Sequence, residues 1–535
     1  MMNYPLLLPG ILKRAATFFP YKRVITRTAS GTESITFQEM AARIGRLAAA
    51  LKALGVEKGE RVGTFAWNHQ RHVELYYAIP QIGAILHTIN IRLFPEQLEY
   101  VINHAEDRVL FVDADLLPLL ELLWPRLKTV ETVVIMYGEG NETAGNLKVY
   151  QYEDLLAAQP EEASYCEDLD ENDAAAMCYT TATTGNPKGV VYTHRALYLH
   201  SLVETMADTF AISEQDNILP VVPQFHVNAW GLPFTALMVG ANLIMPGSRP
   251  DPAALARLIS DHKVTLAAGV PTVWLGVLAE ARKGDYDFSS LKRIIIGGSA
   301  VPPALMKAYE KEFGVRIIHA YGMTETSPLV LACIPRQEME SWPEEEQFRL
   351  RIKQGTLVPC LEMKAVDQQG REIPWDGQTM GELWLRGPWV TDGYYKDPQW
   401  TAEAIREGGW FRTMDIVTID RYGYVEICDR TRDIIKSGGE WISSITLENL
   451  LMGHPAVLEA AVIAMPHPKW QERPLACVVL KQEYEGKVSG EEILQYLADK
   501  VSKWWLPDEI RFIASIPKTS VGKFDKKVLR SQLLA

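Results

Sequence analysis

Tyr179-Thr180-Thr181-Ala182-Thr183-Thr184-Gly185-Asn186-Pro187-Lys188-Gly189 follows directly on the apolar run Ala174-Ala175-Ala176-Met177-Cys178. A buried strand therefore opens into a loop dense in hydroxyls and small residues and closed by a lysine. Phosphate oxygens need several donors at short range, and exposed backbone N–H groups, threonine hydroxyls and an ammonium supply them. The spacing does not fit G-x-x-x-x-G-K-[ST], which sets an ordinary Walker fold aside. A flexible Thr/Gly linker is the plain alternative. Threonine at positions 180, 181, 183 and 184, with Lys188 beyond them and a buried strand before, argues against it.

The same alternation extends outward from this loop. Arg61–Phe65, Val109–Val112, Asn242–Met245 and Arg293–Ile296 read as buried strands, and Phe37–Leu54 and Pro252–His262 as amphipathic helices. Strand and helix in alternation define an α/β body with mostly parallel sheets. Ligands on such sheets sit in loops beyond the carboxyl ends of strands. From Gly381 the texture changes. Gly381–Gly387 and Gly423–Cys428 are strand-like, with the turn residues Arg421-Tyr422-Gly423 between them, and predict a β-rich layer. Beyond the charged segment Asp429-Arg430-Thr431-Arg432-Asp433 the chain carries its own β and α pattern. The expected division is a body over 1–429 and a small α+β domain over 430–535.

Bulk properties agree with more than one domain. The chain has 535 residues, 47% of them hydrophobic, whereas single cores stop growing near about 250–300 residues. A formal charge of −13 argues against a nucleic-acid partner, which favours a basic face. Cys166, Cys178, Cys333, Cys360, Cys428 and Cys477 are scattered, without C-x-x-C or zinc-like spacing, and read as small hydrophobes in a reducing compartment. The N-terminus lacks a basic segment and is interrupted by Pro5 and Pro9, so it does not read as a signal peptide. No apolar run approaches the roughly 20 residues that span a bilayer. A cytoplasmic protein without a transmembrane segment is expected.

The loop at 179–189 resembles the phosphate-binding motif of the acyl-adenylate-forming enzymes, which include acyl-CoA synthetases, luciferases and peptide-synthetase adenylation domains. That motif is usually Tyr-Thr-Ser-Gly-Thr-Thr-Gly-x-Pro-Lys-Gly, and the resemblance runs in order along nearly the whole chain. It implies ATP, Mg²⁺ and CoA as cofactors and cosubstrates, with Thr180, Thr181, Thr183, Thr184, Gly185 and Lys188 at the phosphates. Ala182 departs from the motif's glycine. Tyr321-Gly322-Met323-Thr324-Glu325 follows the strand-like Val315–Ile318; a carboxylate beside hydroxyls suits magnesium, which takes few protein carboxylates plus substrate oxygens. By resemblance, Glu325 holds the metal with Thr184, Thr324 contacts phosphate, Tyr321 packs on adenine, and Gly298-Ser299-Ala300 form the adenine-side loop.

Trp410-Phe411-Arg412-Thr413-Met414-Asp415 resembles a Thr-Gly-Asp element whose aspartate accepts both ribose hydroxyls; Asp415 matches it, and Met414 replaces the glycine. Arg430 matches a nucleotide-contacting arginine, and Arg432 lies at the hinge position, where Asp or Lys is more usual. A solvated charge run is the plain reading of that segment. Lys436-Ser437-Gly438-Gly439-Glu440-Trp441 resembles the loop lining the pantetheine channel. Lys523, in Pro517-Lys518-Thr519-Ser520-Val521-Gly522-Lys523, matches the catalytic lysine, which would neutralise charge developing between carboxylate and α-phosphate. The implied C-terminal domain is mobile.

Pro223-Gln224-Phe225-His226-Val227-Asn228-Ala229-Trp230-Gly231 resembles the fatty acyl branch, in particular bacterial medium- and long-chain fatty acyl-CoA synthetases, some of them homodimers. His226 matches a histidine beside the acyl carboxylate. Trp230 matches a tunnel gate, although plain packing remains open for it. The apolar Phe234–Val239 suits a tunnel wall or a buried helix alike. The expected substrate is a fatty acid. Transfer of an aryl or short-chain acid to CoA or to a carrier-protein thiol, and a nucleotide-binding pseudoenzyme, remain the alternatives.

Overall fold

The computed structural model describes residues 1–138, 147–160, 166–180, 186–438, 440–518 and 524–534, with Glu440 described by its backbone alone. Among these the chain forms two compact units. The first comprises Met1–Thr180, Asn186–Glu362 and Arg386–Ile405; the second comprises Met363–Leu385 and Arg406–Ala535.

Two large sheets organise the first unit. One runs in the order Lys148–Gln151, Thr132–Ile135, Val109–Val112, Arg61–Phe65, Ile85–Thr88, Ala174–Tyr179, Gly189–Thr193. Its strands are parallel except for the final hairpin-like pair, where Tyr179 faces Gly189 across an antiparallel ladder. The other sheet has Arg316–Gly322, Arg293–Ile296, Leu266–Gly269, Asn217–Pro220, Asn242–Met245 and Arg23–Thr28 as its parallel centre. Antiparallel strands finish both edges. The parallel strands are short and β-branched or alanine-rich because both faces are covered, and Leu110, Val112, Ile294 and Ile296 are fully or almost fully buried.

Capping sets the helices. Thr36 and Glu39 form a reciprocal capping box at Phe37–Ala53, and Asp251 accepts from Ala254 N–H at Pro252–Asp261. The two sheets are stitched where their strands end. Asn68, just beyond Arg61–Phe65, donates to Pro220 O at 3.0 Å and Val222 O at 2.8 Å and accepts from Gln224 N–H at 2.7 Å. Gln224 Oε1 in turn accepts from His69 N–H at 2.9 Å. The segment leading to His226 is therefore fixed at the carboxyl edge of both sheets, as doubly wound folds require of a ligand-bearing loop.

The second unit contains two smaller sheets. Glu362–Val366, Gly381–Arg386, Trp410–Ile419, Ile405–Arg406 and Val425–Arg430 make the β-rich layer. Glu440–Ile442, Ile435–Ser437, Gln471–Leu480, Val457–His467 and Glu509–Phe512 make the other, with Ser444–Met452, Gly490–Ala498 and Lys526–Leu533 as its helices. Large parallel α/β sheets in the N-terminal part, a β-rich layer and a smaller C-terminal α+β part are thus present, the mixed α/β class that the sequence predicts. All six cysteines are free, four of them buried. No helix among the described residues is long and apolar enough to cross a membrane.

Candidate active site

The phosphate-loop ends are held by each other. Thr180 N–H donates to Lys188 O at 2.9 Å, and Lys188 N–H donates to Thr180 Oγ1 at 3.1 Å. Of the loop's proposed ligands, Thr181, Thr183, Thr184 and Gly185 lie outside the described residues, as does Ala182; Thr180 and Lys188 lie within them. Beyond the loop, Gly189 O accepts from Tyr395 N–H at 2.8 Å, which docks the segment 391–401 beside Lys188.

That segment joins two parts of the site. Tyr394 OH donates to Glu325 Oε1 at 2.8 Å, and Thr391 N–H donates to Glu325 O at 2.8 Å. Lys188 Nζ lies 5.4 Å from the centre of the Tyr394 ring and 3.4 Å from the centre of the Trp400 indole. Glu325 and Thr324 occupy a buried 3₁₀ turn after the strand that ends at Tyr321-Gly322, and Tyr192 OH, on the strand following the loop, donates to Thr324 O at 2.7 Å. Phosphate-loop lysine and acidic turn are therefore linked through named contacts. Among the described residues no cluster of three or more His, Cys, Asp or Glu side chains forms a metal cage. A single carboxylate beside a hydroxyl fits Mg²⁺, which keeps most of its shell for water and phosphate.

The segment 226–231 is built differently. Val227, Asn228, Ala229, Trp230 and Gly231 all have positive φ, at 45°, 51°, 52°, 58° and 82°. Four successive L-residues thus make a left-handed turn, each at a cost of roughly 1–2 kcal/mol. The turn ends at Gly231, where a Cβ would stand 2.8 Å from His200 Nδ1. Only glycine combines that φ with that approach. The turn aims the Trp230 ring at Gly297: a Cβ there would be 3.3 Å from the indole edge. Gly297 opens the exposed Gly298-Ser299-Ala300 loop and lies against Ala320, next to Tyr321. His226, half-buried, precedes the turn and accepts from Ala229 N–H through its carbonyl.

Beneath this turn lie two buried ionisable groups of the helix His194–Glu204. His200 Nε2 accepts from Leu329 N–H at 3.2 Å, and burial holds its pKa down to about 3. Glu204 takes a hydrogen bond from Thr235 Oγ1, on the helix that Gly231 begins. Burial pushes the Glu204 carboxyl up to about 8. Both groups are thereby neutral near pH 7.

In the second unit, Asp415 is buried and pairs with Arg430 Nε at 2.6 Å, directly across the ladder. Met414 has φ +59°, the conformation a glycine would supply, and its carbonyl accepts from Thr431 N–H at 2.9 Å and Thr431 Oγ1 at 3.0 Å. Arg432 is exposed and lies 3.6 Å from Asp433, which also binds Arg530. Asp429 accepts from Ser444 N–H and Oγ, both at 2.6 Å, and Ser444 Oγ takes a hydrogen bond from Lys526 Nζ, itself paired with Glu448 at 2.6 Å. The residues around the expected hinge are thus knit to the C-terminal helix. Lys436 and Gly438 stand on a tight hairpin with Trp441: Lys436 N–H donates to Glu472 at 2.7 Å and Gly438 N–H to Trp470 O at 2.9 Å. Gly439 and Lys523, and the side chain of Glu440, lie outside what is described.

Tyr192, Glu204, Tyr394 and Trp400 were missed from sequence. Asp392-Gly393-Tyr394-Tyr395, a turn glycine flanked by an acid and aromatics, was the available signal for the last two.

A threonine-rich sequence ending in Lys188 after a buried strand of an α/β body, with a smaller α+β part later in the chain, points to the class. Residues 12–395 match the AMP-binding enzyme family and residues 446–523 match the AMP-binding enzyme C-terminal domain. The chain belongs to the AMP-binding enzymes. It is 47% identical over 534 residues to a long-chain-fatty-acid–CoA ligase of Thermus thermophilus, covering 99% of this chain and 96% of that one. It is 42% identical over 535 residues to a medium-chain-fatty-acid–CoA ligase of Ectopseudomonas oleovorans (99% and 97%), and 43% identical over 534 residues to a 3-methylmercaptopropionyl-CoA ligase of Ruegeria pomeroyi (99% and 98%). Among solved structures, the anthranilate CoA ligase AuaEII in complex with anthranoyl-AMP superposes with a TM-score of 0.85 at 28% identity, over 99% of this chain and 98% of that one.

Proposed function

We propose that this protein is an ATP-dependent fatty acid–CoA ligase. ATP and the acid form acyl-AMP and pyrophosphate; the CoA thiol then attacks the acyl carbonyl and AMP leaves. The observation that carries the reading is the line of contacts in the first unit. It runs from Lys188 through Tyr394 to Glu325, and from Tyr321 past Ala320 and Gly297 to Trp230 and the turn that follows His226. Residues suited to phosphate and residues suited to an acyl carboxylate thus adjoin.

In this reading Thr180, Thr324 and Lys188 bind phosphate oxygens, and Lys188 supplies positive charge opposite the departing pyrophosphate. Glu325, with Thr184, would hold Mg²⁺, which when bound offsets phosphate charge. Tyr321 and Gly298–Ala300 take the adenine side, Asp415 and Arg430 the ribose side. His226 orients the carboxylate, and Trp230 guards the acyl path. Lys523 serves adenylation, the 436–441 hairpin serves thiol transfer, and Arg432 serves the hinge between a 1–429 body and a 430–535 domain. Cytoplasmic residence and a homodimer complete the proposal.

Identity to a 3-methylmercaptopropionyl-CoA ligase favours a short acid as the second reading. Each buried methylene contributes about 0.8 kcal/mol, so two carbons shift affinity roughly fifteenfold, and a sharp limit demands a steric stop. A panel of acids from 3-methylmercaptopropionate to long-chain fatty acids, with ATP and CoA and read by AMP formation, decides between them. Highest kcat/KM on medium or long chains supports the proposal; a maximum at the short thioether acid overturns it in favour of the second. No pyrophosphate release with any acid identifies a pseudoenzyme. Acyl-AMP formation that discharges onto a phosphopantetheinylated carrier and not onto CoA identifies the carrier route.

A further inference from the structure

We infer that Trp400 is a positioning residue for ATP: together with Tyr394 it forms an aromatic cradle that holds the Lys188 ammonium ready for the phosphates. This rests on the reading of Lys188 as a phosphate ligand.

Three observations support the cradle. The ammonium lies 3.4 Å from the Trp400 ring centre, within the distance at which an indole face attracts a cation. The Tyr394 ring, 5.4 Å away, borders the same charge, and its hydroxyl is committed to Glu325 at 2.8 Å, so the side chain cannot swing away without losing that bond. The backbone that carries both aromatics is also fixed in place. Tyr394 N–H donates to Thr401 Oγ1 at 2.9 Å, Trp400 N–H donates to Asp397 Oδ1 at 3.1 Å, and Tyr395 N–H is tied to Gly189 O. The segment also lines, with Val191, a cleft of about 450 Å³ that opens beside the loop's exit strand.

Lysine carries its charge on a flexible four-carbon stem, so an unsupported ammonium loses rotamer freedom on meeting phosphate. An aromatic face attracts the cation without neutralising it, unlike a carboxylate, and leaves the charge available to an incoming anion. The cradle thus orders the stem before ATP arrives.

The test compares Trp400→Met with Trp400→Phe in the full-length enzyme, alone and in a Lys188→Met background. ATP affinity is measured by calorimetry, and KM and kcat by pyrophosphate release. Trp400→Met, which removes the ring but keeps a long apolar side chain, is expected to weaken ATP about three- to thirtyfold, the range a cation–π contact supplies. It should leave kcat at saturating ATP within about twofold and spare the KM for acid. Trp400→Phe should retain most of the affinity. In the Lys188→Met background the Trp400 substitution should have no further effect. Unchanged or tighter ATP binding by Trp400→Met, equal losses in the Met and Phe variants, or a full Trp400 effect without the lysine would overturn the cradle. Unchanged ATP binding in Lys188→Met alone overturns the underlying assignment of Lys188 instead. If Trp400→Met does not fold, Trp400→Leu set beside Trp400→Phe and the Lys188→Met double variants separates the same outcomes.

Discussion

The proposed phosphate side and the proposed carboxylate side of the first unit are held by different means. Around Lys188 and Glu325 the positioning is done by side chains: an indole and a phenol ring, a tyrosine hydroxyl, and hydrogen bonds at the loop's mouth. Around His226 and Trp230 it is done by the backbone, in a run of left-handed residues supported from below by neutral His200 and Glu204. A side-chain scaffold tolerates movement of its ligand, because stems and rings adjust independently. A strained turn does not, since relaxing one residue redirects all that follow. The first arrangement suits a triphosphate that must change shape during reaction, the second a carboxylate that must be aimed.

The largest expected effect tests the side-chain half. Glu325→Gln preserves shape and the Tyr394 contact while removing charge, and should lower pyrophosphate release at least roughly 100-fold, with little change in unfolding midpoint. Retained activity would remove Glu325 from the metal role. On the backbone half, Gly231→Ala forces a side chain onto His200 at a positive φ. It should destabilise by roughly 2–3 kcal/mol in urea titration and raise the KM for acid more than that for ATP. Equal changes in the two KM values would mean that the turn does not aim the carboxylate.

A pH comparison follows in size. Glu204 has its folded pKa raised from an ordinary 4.5 to about 8. Its contribution to stability is fully present below pH 4.5 and is lost as pH rises through about 8, because the unfolded chain ionises first. Glu204→Gln is neutral throughout. Its melting temperature relative to wild type should therefore improve between pH 5 and pH 8.5, and a pH-independent difference would show that Glu204 is charged in the fold. The smallest effect concerns Met414. Glycine at that left-handed site relieves strain but frees the unfolded chain, so Met414→Gly should stabilise by less than about 1 kcal/mol. A clear loss of stability would show that the methionine side chain holds the Asp415 strand in place.

Much of this was legible in the sequence for physical reasons. Strands such as Arg293–Ile296 are continuous β-branched runs because both faces are buried, and the strand before the loop proposed to bind phosphate is legible in the same way. Met414 could be flagged as a departure, whereas its adoption of the glycine conformation could not be read from its identity. The left-handed turn was invisible: Val227 is among the residues least suited to positive φ, and tertiary packing overrides its propensity. Trp400 was equally hidden, because its partner lies far away in sequence and a lone tryptophan before Thr401 reads as ordinary packing. The ionisation of Glu204 depends wholly on burial, which a helix bearing a glutamate does not reveal.

The paired hydrogen bonds between Thr180 and Lys188 give the loop they enclose an evolutionary character of its own. The clasp uses the backbone at both ends and a single threonine hydroxyl, so these two bonds ask nothing of the side chain at position 188. On the proposed reading, substitutions inside such a clasp alter what meets the phosphates while the two clasp bonds can persist. Ala182, where relatives of this motif carry glycine, is one rewriting of that kind already in the chain. On the proposed reading, the enclosed stretch is accordingly the place to vary contacts to the phosphates, and the base is read elsewhere.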